Sequence, residues 1–308
     1  MSPTRWDIFC SVVDNYGDVG VAWRLARQLA SEHGLAVRLM VDDLPALSRI
    51  SSGVAPGVDP AQDQNVIQGV RLRRWTGGRE AAVPDDVADV VVEAFGCGLP
   101  KRYADAMVRR ARPPAWIVLE YLSAESWVET HHGLPSPHPS LSLARHFFFP
   151  GFTLATGGLL RERDLFAQRD AFQSDPAARA AFWRALGVAQ PAPGAIVSLF
   201  CYPDAPLPAL LDAWADGDEA VVCVVPEGVA AGALDRWTEG EVPHPGQSLT
   251  RGRLVVASIP FLAQDDYDRL LWASDINFVR GEDSFVRAQW AARPFVWNAY
   301  AQSGNAHA

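Results

Sequence analysis

Short apolar runs alternate with amphipathic stretches along most of the chain. Asp7-Ile-Phe-Cys-Ser-Val-Val13 reads as a buried strand, and Ala22, Leu25, Ala26, Leu29 and Ala30 then recur at helical spacing towards His33. Gly34 stops that helix, and Ala36-Val-Arg-Leu-Met-Val41 predicts a second strand. A strand, a helix and a strand in this order predict a parallel pair with a right-handed crossover. Val87 to Phe95, Lys101 to Arg112 and Ala115 to Tyr121 continue the alternation as strand, helix and strand, so the first domain is expected to be doubly wound. Ser51 to Asp63 reads as a loop, and Thr130 to Asp164 as an irregular region facing a site.

Ser174 to Leu186 is periodic enough for a helix, and Gln190-Pro-Ala-Pro-Gly194 is the best linker by its proline and glycine content. A second α/β pattern follows. Its strands are expected at 195–200, 220–225, 253–257, 275–279 and 295–297, and its helices at 205–215, 264–273 and 284–293. In the last helix Phe285, Ala288, Gln289 and Ala292 share the expected inner face. The predicted organisation is α/β, with one domain over residues 1–190, another over 191–308, and a cleft between them.

Composition narrows the class. With 308 residues, 49% of them hydrophobic and 20% charged, two ordinary globular domains are expected. No apolar run reaches the roughly 18 residues of a membrane span. Met-Ser-Pro-Thr-Arg-Trp-Asp7 does not read as a signal peptide, so the cytoplasm is the expected location. Cys10, Cys97, Cys201 and Cys223 lie far apart in or beside apolar runs, which predicts buried free thiols. A net charge of −9 argues against a nucleic-acid partner and suits a cationic target such as an arginine side chain.

Familiar signatures are missing. There is no Gly-x-x-x-x-Gly-Lys-Ser/Thr, no Gly-x-Gly-x-x-Gly after the first strand, no His-Glu-x-x-His and no Cys-x-x-Cys. His131-His132 is expected to be a loop pair, and Asp266-Tyr-Asp268 a solvated helix face, so no metal site is expected. Arg280-Gly-Glu-Asp-Ser-Phe285 is more informative, because it reads as strand end, glycine turn and helix start. A helix start offers backbone N–H groups and a positive dipole end to a phosphate, and Arg280 adds a forked cation. Glu282 and Asp283 would repel a diphosphate, so one of them should face a hydroxyl or a cation. Asp283 or Ser284 could instead cap the helix. Asp14 and Asp18 share the glycine turn after the first strand, where they could hold a cation and accept a proton; Asp18 could alternatively cap the helix starting near Val19.

The stretch Asp14-Asn-Tyr-Gly-Asp-Val-Gly-Val-Ala-Trp-Arg-Leu-Ala-Arg27 resembles the N-terminal signature of EarP, the elongation factor P arginine rhamnosyltransferase family. So do Leu119-Glu-Tyr-Leu-Ser-Ala-Glu125, Leu134-Pro-Ser-Pro137, Phe149-Pro-Gly-Phe152 and Gly157-Gly-Leu-Leu-Arg-Glu-Arg-Asp164. Arg280-Gly-Glu-Asp-Ser-Phe-Val-Arg-Ala-Gln-Trp290 is the most specific match, and the likeness runs from about Ile8 to Trp297. The resemblance implies a GT-B fold of two Rossmann-like domains, an N-terminal one for the acceptor and a C-terminal one for the nucleotide sugar. It implies inverting transfer of rhamnose from dTDP-β-L-rhamnose to an arginine of elongation factor P, with no further cofactor. The donor contacts it implies are Tyr202, Phe261 (stacked on thymine), Gln264, Arg280, Asp283 and Ser284. It implies Asp18 as general base, with Asp14 and Glu282 as further essential carboxylates.

Physical chemistry gives these carboxylates a task. A guanidinium has a pKa near ~13.8, and stripping its proton beforehand at pH 7 would cost on the order of 9 kcal/mol. Proton removal should therefore accompany attack on the sugar, while Arg280 and the helix start steady the departing diphosphate without a metal. One departure stands out. The family commonly reads Trp-x-Ile-Tyr-Pro-Gln and continues through further helices, whereas here the sequence is Trp297-Asn-Ala-Tyr-Ala-Gln302, ending at Ala308. The sequence leaves two other readings open: a GT-B transferase with another acceptor, and a form that binds donor without turnover.

Overall fold

The structure is a computed structural model that describes residues 4–13, 16–54, 66–75, 86–189, 194–203 and 205–299. The chain divides into two compact units, Met1–Glu162 and Arg163–Ala308.

The first unit opens with β1 (Arg5–Cys10), α1 (Gly17–His33), β2 (Ala36–Val41) and α2 (Leu44–Ile50). It continues through β3 (Val66–Ile67), β4 (Val70–Arg74), β5 (Val90–Ala94), α3 (Lys101–Arg109), β6 (Ala115–Leu119), α4 (Val128–His131), β7 (Pro135–Pro137) and β8 (Ala144–Phe148). Among the described residues these strands form a sheet in the order β3-β4-β2-β1-β5-β6-β8-β7. Its interior pairs are parallel, and the edge strands β3 and β7 run antiparallel. Helix α1 begins at Gly17, earlier than its apolar stripe suggested, because Asp18, Val19 and Gly20 are buried in its first turn. One face of the sheet packs Phe9 edge-on against Trp75 and Tyr103, with ring centroids at 5.6 and 4.9 Å. Asp7 is buried in mid-strand, where Arg38 holds its two oxygens at 2.6 and 2.7 Å and the Tyr103 hydroxyl donates to it.

The second unit begins with α5 (Leu165–Ser174), which the sequence pattern did not announce, and α6 (Pro176–Ala185), which matches the helix expected at Ser174 to Leu186. Asp175 separates them and caps α6 through bonds from the Ala177 and Ala178 N–H groups, with Pro176 at the first helical position. Then come β9 (Ala195–Leu199), α7 (Leu207–Ala215), β10 (Val221–Pro226), α8 (Ala231–Thr238), β11 (Ser248–Arg251) and β12 (Leu254–Ile259). The last described elements are α9 (Gln264–Ala273), β13 (Ile276–Arg280), α10 (Glu282–Ala291) and β14 (Phe295–Asn298). Their sheet has the order β11-β12-β10-β9-β13-β14 and is parallel except for β11. Side chains alternate across it with the strand period. Val197, Leu199, Cys223 and Val225 pack with α7 and α8, while Ile196, Val222 and Val224 pack with Trp183, Leu270 and Ala273.

That packing corrects the expected domain boundary at residues 190 and 191. Leu165 and Trp183, from the two helices before the proline-rich stretch, are buried in the second unit's core, so the division falls between Glu162 and Arg163. Residues 190–193 of the expected linker lie outside the described residues. Four free cysteines are present as expected, three buried and Cys97 half-buried. Burial pushes the Cys97 thiol up to about 12, with the Glu93 charge adding to the effect. No helix among the described residues is long and apolar enough to cross a membrane.

Candidate active site

In an open α/β sheet, ligands gather beyond the carboxyl ends of the strands, at the point where strand order reverses. In the second sheet that point lies between β9 and β13. Tyr202 follows β9 and Arg280 ends β13. The Arg280 guanidinium lies over the rings of Phe200 and Tyr202, at 4.6 and 4.9 Å from their centroids, and donates to the Cys201 carbonyl at 3.2 Å. Two aromatic faces and a carbonyl thus hold the cation in place while it stays partly exposed. Asn298, at the end of β14, accepts the Tyr202 N–H at 2.8 Å and ties this loop to the strand beyond β13.

Helix α10 spans Glu282–Ala291 and so starts before residue 284, where its sequence pattern placed the first turn. Gly281 is its N-cap, with φ +66° and ψ −174°, a left-handed backbone that favours glycine. The capping role open to Asp283 or Ser284 falls to Gly281, so both lie within the first turn alongside Glu282. The Gln264 amide, at the start of α9, reaches the Asp283 carboxylate at 3.5 Å. Phe261 sits half-buried between β12 and α9. Trp297 donates to the Gly281 carbonyl at 3.2 Å and stacks on Phe285 at 4.3 Å, bracing the turn. All six expected donor residues therefore lie at or just beyond the carboxyl ends of β9, β12 and β13.

Further along α10 the buried residues are Val286, Arg287, Ala288 and Ala291, while Ala292 is exposed, so the expected inner face is rotated. The reason is a buried ion pair. Arg287 meets Asp268 of α9 at 3.0 and 2.5 Å, with the two side chains 2% and 6% exposed. Asp268 is consequently not on a solvated face. Only Asp266 of the Asp-x-Asp match is outward, paired with Arg269.

In the first sheet the order reverses between β1 and β5. Asp18 lies in the first turn of α1 and is 2% exposed. It does not cap that helix, whose N-cap is Tyr16. One carboxylate oxygen accepts the Val13 N–H at 2.9 Å, and the other accepts the Tyr121 hydroxyl at 3.1 Å. The loop before it is anchored by Asp42, which takes the Val12 N–H at 2.8 Å and the Ser11 hydroxyl. Asp14 lies outside the described residues. Beyond β6, burial raises the Glu120 carboxyl, and the Glu93 charge adds to the rise. His131 and His132 are engaged with the Trp127 carbonyl and the Phe149 N–H, as suits a structural pair. Residues that sequence reasoning missed are Phe200 under the cation, Asn298 on the Tyr202 loop, Trp297 at the Gly281 turn, and Tyr121 beside Asp18.

The profile of the family described as elongation factor P (EF-P) rhamnosyltransferase EarP matches residues 6–308. The chain belongs to that family. A protein-arginine rhamnosyltransferase of Pseudomonas putida is 55% identical over 98% of the chain and 78% of its own length. Its counterpart in Pseudomonas aeruginosa is 48% identical over the same shares. A solved structure, described as the structural basis for EarP-mediated arginine glycosylation of translation elongation factor EF-P, is 38% identical with a TM-score of 0.64. It covers 97% of this chain and 74% of that one. The two Rossmann-like sheets are accordingly those of the GT-B fold that the resemblance implied, and the signature residues Asp18, Tyr121 and Arg280 lie at the strand ends just described.

Proposed function

We propose that the protein transfers rhamnose from dTDP-β-L-rhamnose to an arginine side chain of elongation factor P, with inversion at the sugar carbon. The observation that carries this is the held cation at a helix start: Arg280 fixed over Phe200 and Tyr202, followed directly by the Gly281 turn into α10. That pairing suits a diphosphate leaving group, because charge developing on the bridging oxygen meets a fixed guanidinium and the helix dipole. In this reading Gln264, Asp283 and Ser284 bind sugar hydroxyls and phosphate oxygens, and Phe261 stacks on the base. The donor is the only small molecule this reading requires, and a translation-factor acceptor places the reaction in the cytoplasm.

On the acceptor side Asp18 takes a proton from the guanidinium as one of its nitrogens attacks the anomeric carbon. The bond from that carbon to the diphosphate breaks, and the product retains a cationic, glycosylated guanidinium. Asp14 and Glu282 supply the negative charge that grips the arginine beforehand.

Intact-mass measurement of elongation factor P incubated with the protein and dTDP-rhamnose should show the gain of one deoxyhexose. Gain on a different protein would mean another acceptor, and donor binding without any transfer would mean an inactive form. Arg280→Ala should raise the Kd for dTDP about 10- to 100-fold, since hydrogen bonds to a charged group contribute about 1.5–3 kcal/mol. An unchanged Kd by titration calorimetry would remove the diphosphate role.

A further inference from the structure

The proposed base is held by a residue that neither the family signature roles nor the donor site accounts for. We propose that Tyr121 is a positioning residue for Asp18, and that the stacked Phe95 holds Tyr121 in place. This rests on Asp18 being the base that takes the acceptor proton.

Three strand ends of the first sheet converge here. Asp18 follows β1, Phe95 follows β5 and Tyr121 follows β6, and β1, β5 and β6 are neighbours in the sheet. The Tyr121 hydroxyl donates to one Asp18 oxygen at 3.1 Å, and the Tyr121 ring lies on Phe95 at 4.6 Å with 24° between the planes. Phe95 has φ +56°, a left-handed conformation that a bulky side chain adopts only under strain. The surrounding structure imposes it. The Phe95 N–H is bonded to the Leu119 carbonyl at 2.7 Å, and Glu93 takes the Gly98 N–H and the Trp116 indole N–H at 3.0 and 3.1 Å. Strain held by such a frame turns the Phe95 ring onto a tyrosine that is itself 42% exposed. Burying an apolar face does not require this arrangement, since Tyr121 stays 42% exposed.

The chemistry explains why a base needs such a partner. The terminal torsion of aspartate is broad, so one hydrogen bond leaves its carboxylate plane free to swing. Val13 N–H holds one oxygen and Tyr121 holds the other, which fixes the plane. Tyr121 thus fixes the orientation in which the carboxylate meets a guanidinium proton.

Tyr121→Phe keeps the stacked ring and removes only the hydroxyl. Its kcat for rhamnosylation of elongation factor P should fall about 10- to 100-fold, as expected when a reacting group is misaligned. The KM for dTDP-rhamnose and the thermal midpoint should stay where they are. A merely structural tyrosine would lower the midpoint and leave kcat per folded enzyme intact. Phe95→Leu, which removes the stacking ring and keeps the hydroxyl, should lower kcat in the same direction by less.

A double-mutant cycle with Asp18→Glu separates the causes, because the longer side chain retains a base but moves it off this hydrogen bond. Adding Tyr121→Phe to Asp18→Glu should cost no further kcat. Additive losses would show that Tyr121 acts on something other than Asp18, and unchanged kcat in Tyr121→Phe would overturn the positioning role outright. Full turnover in Asp18→Asn would instead overturn the base itself, a distinct result.

Discussion

Asp18→Asn is expected to lower kcat about 10²- to 10⁴-fold, the usual contribution of a positioned general base, while the Kd for dTDP is unchanged. The two halves of that expectation have separate physical origins. Asp18 belongs to the first unit, and every described residue proposed to hold the nucleotide belongs to the second. The amide is nearly isosteric, yet it cannot accept a proton at neutral pH. It also cannot reproduce both hydrogen bonds. The carboxylate accepts from Val13 N–H on one oxygen and from the Tyr121 hydroxyl on the other, whereas an amide offers one acceptor and one donor. Either its NH₂ faces the Val13 N–H, or the Tyr121 hydroxyl must turn to accept. Comparing steady-state rates with titration of dTDP decides the matter. A variant that loses nucleotide affinity along with turnover would show that Asp18 serves the donor, and the assignment of roles would be wrong.

Local periodicity carried a large part of the fold. Ala36–Val41 and Gln264–Ala273 coincide with the elements observed, because an unbroken apolar run and a clean helical stripe each admit one reading. Strand β8 escaped, since Arg145 and His146 make Ala144–Phe148 look too polar for a strand. The structure covers that charge by laying Arg145 over the rings of Trp116 and Phe147. The domain boundary was misplaced for a related reason. Proline and glycine mark where a chain can turn, whereas the packing of Leu165 and Trp183 decides which core a helix joins. The donor-side turn was legible because strand end, glycine and helix start are contiguous. The partner of Asp18 was not, since Tyr121 lies more than a hundred positions away and no local pattern links them.

Asp268 shows the same limit with the larger energetic consequence. A lone aspartate on an amphipathic helix ordinarily faces water, and nothing local announces that Arg287, one helix further on, closes over it. Asp268→Ala is expected to destabilise the protein by about 3–5 kcal/mol, because it leaves the guanidinium buried without this carboxylate. With a urea dependence of about 1–3 kcal/mol/M, the unfolding midpoint should fall by at least about 1 M. The pair itself need not be favourable relative to apolar packing. Asp268→Leu combined with Arg287→Met should therefore recover most of the loss, since desolvating two charges costs nearly what their attraction returns. Donor binding gives the sharper reading. Arg287 is on the helix whose first turn carries Glu282, Asp283 and Ser284, so the ion pair fixes how that turn stands on α9 and on Gln264. If the apolar pair restores the urea midpoint but not the Kd for dTDP, the charges serve to orient the phosphate-facing helix start. If it restores both, packing alone suffices. A single Asp268→Ala that unfolds at the wild-type midpoint would refute the buried pair.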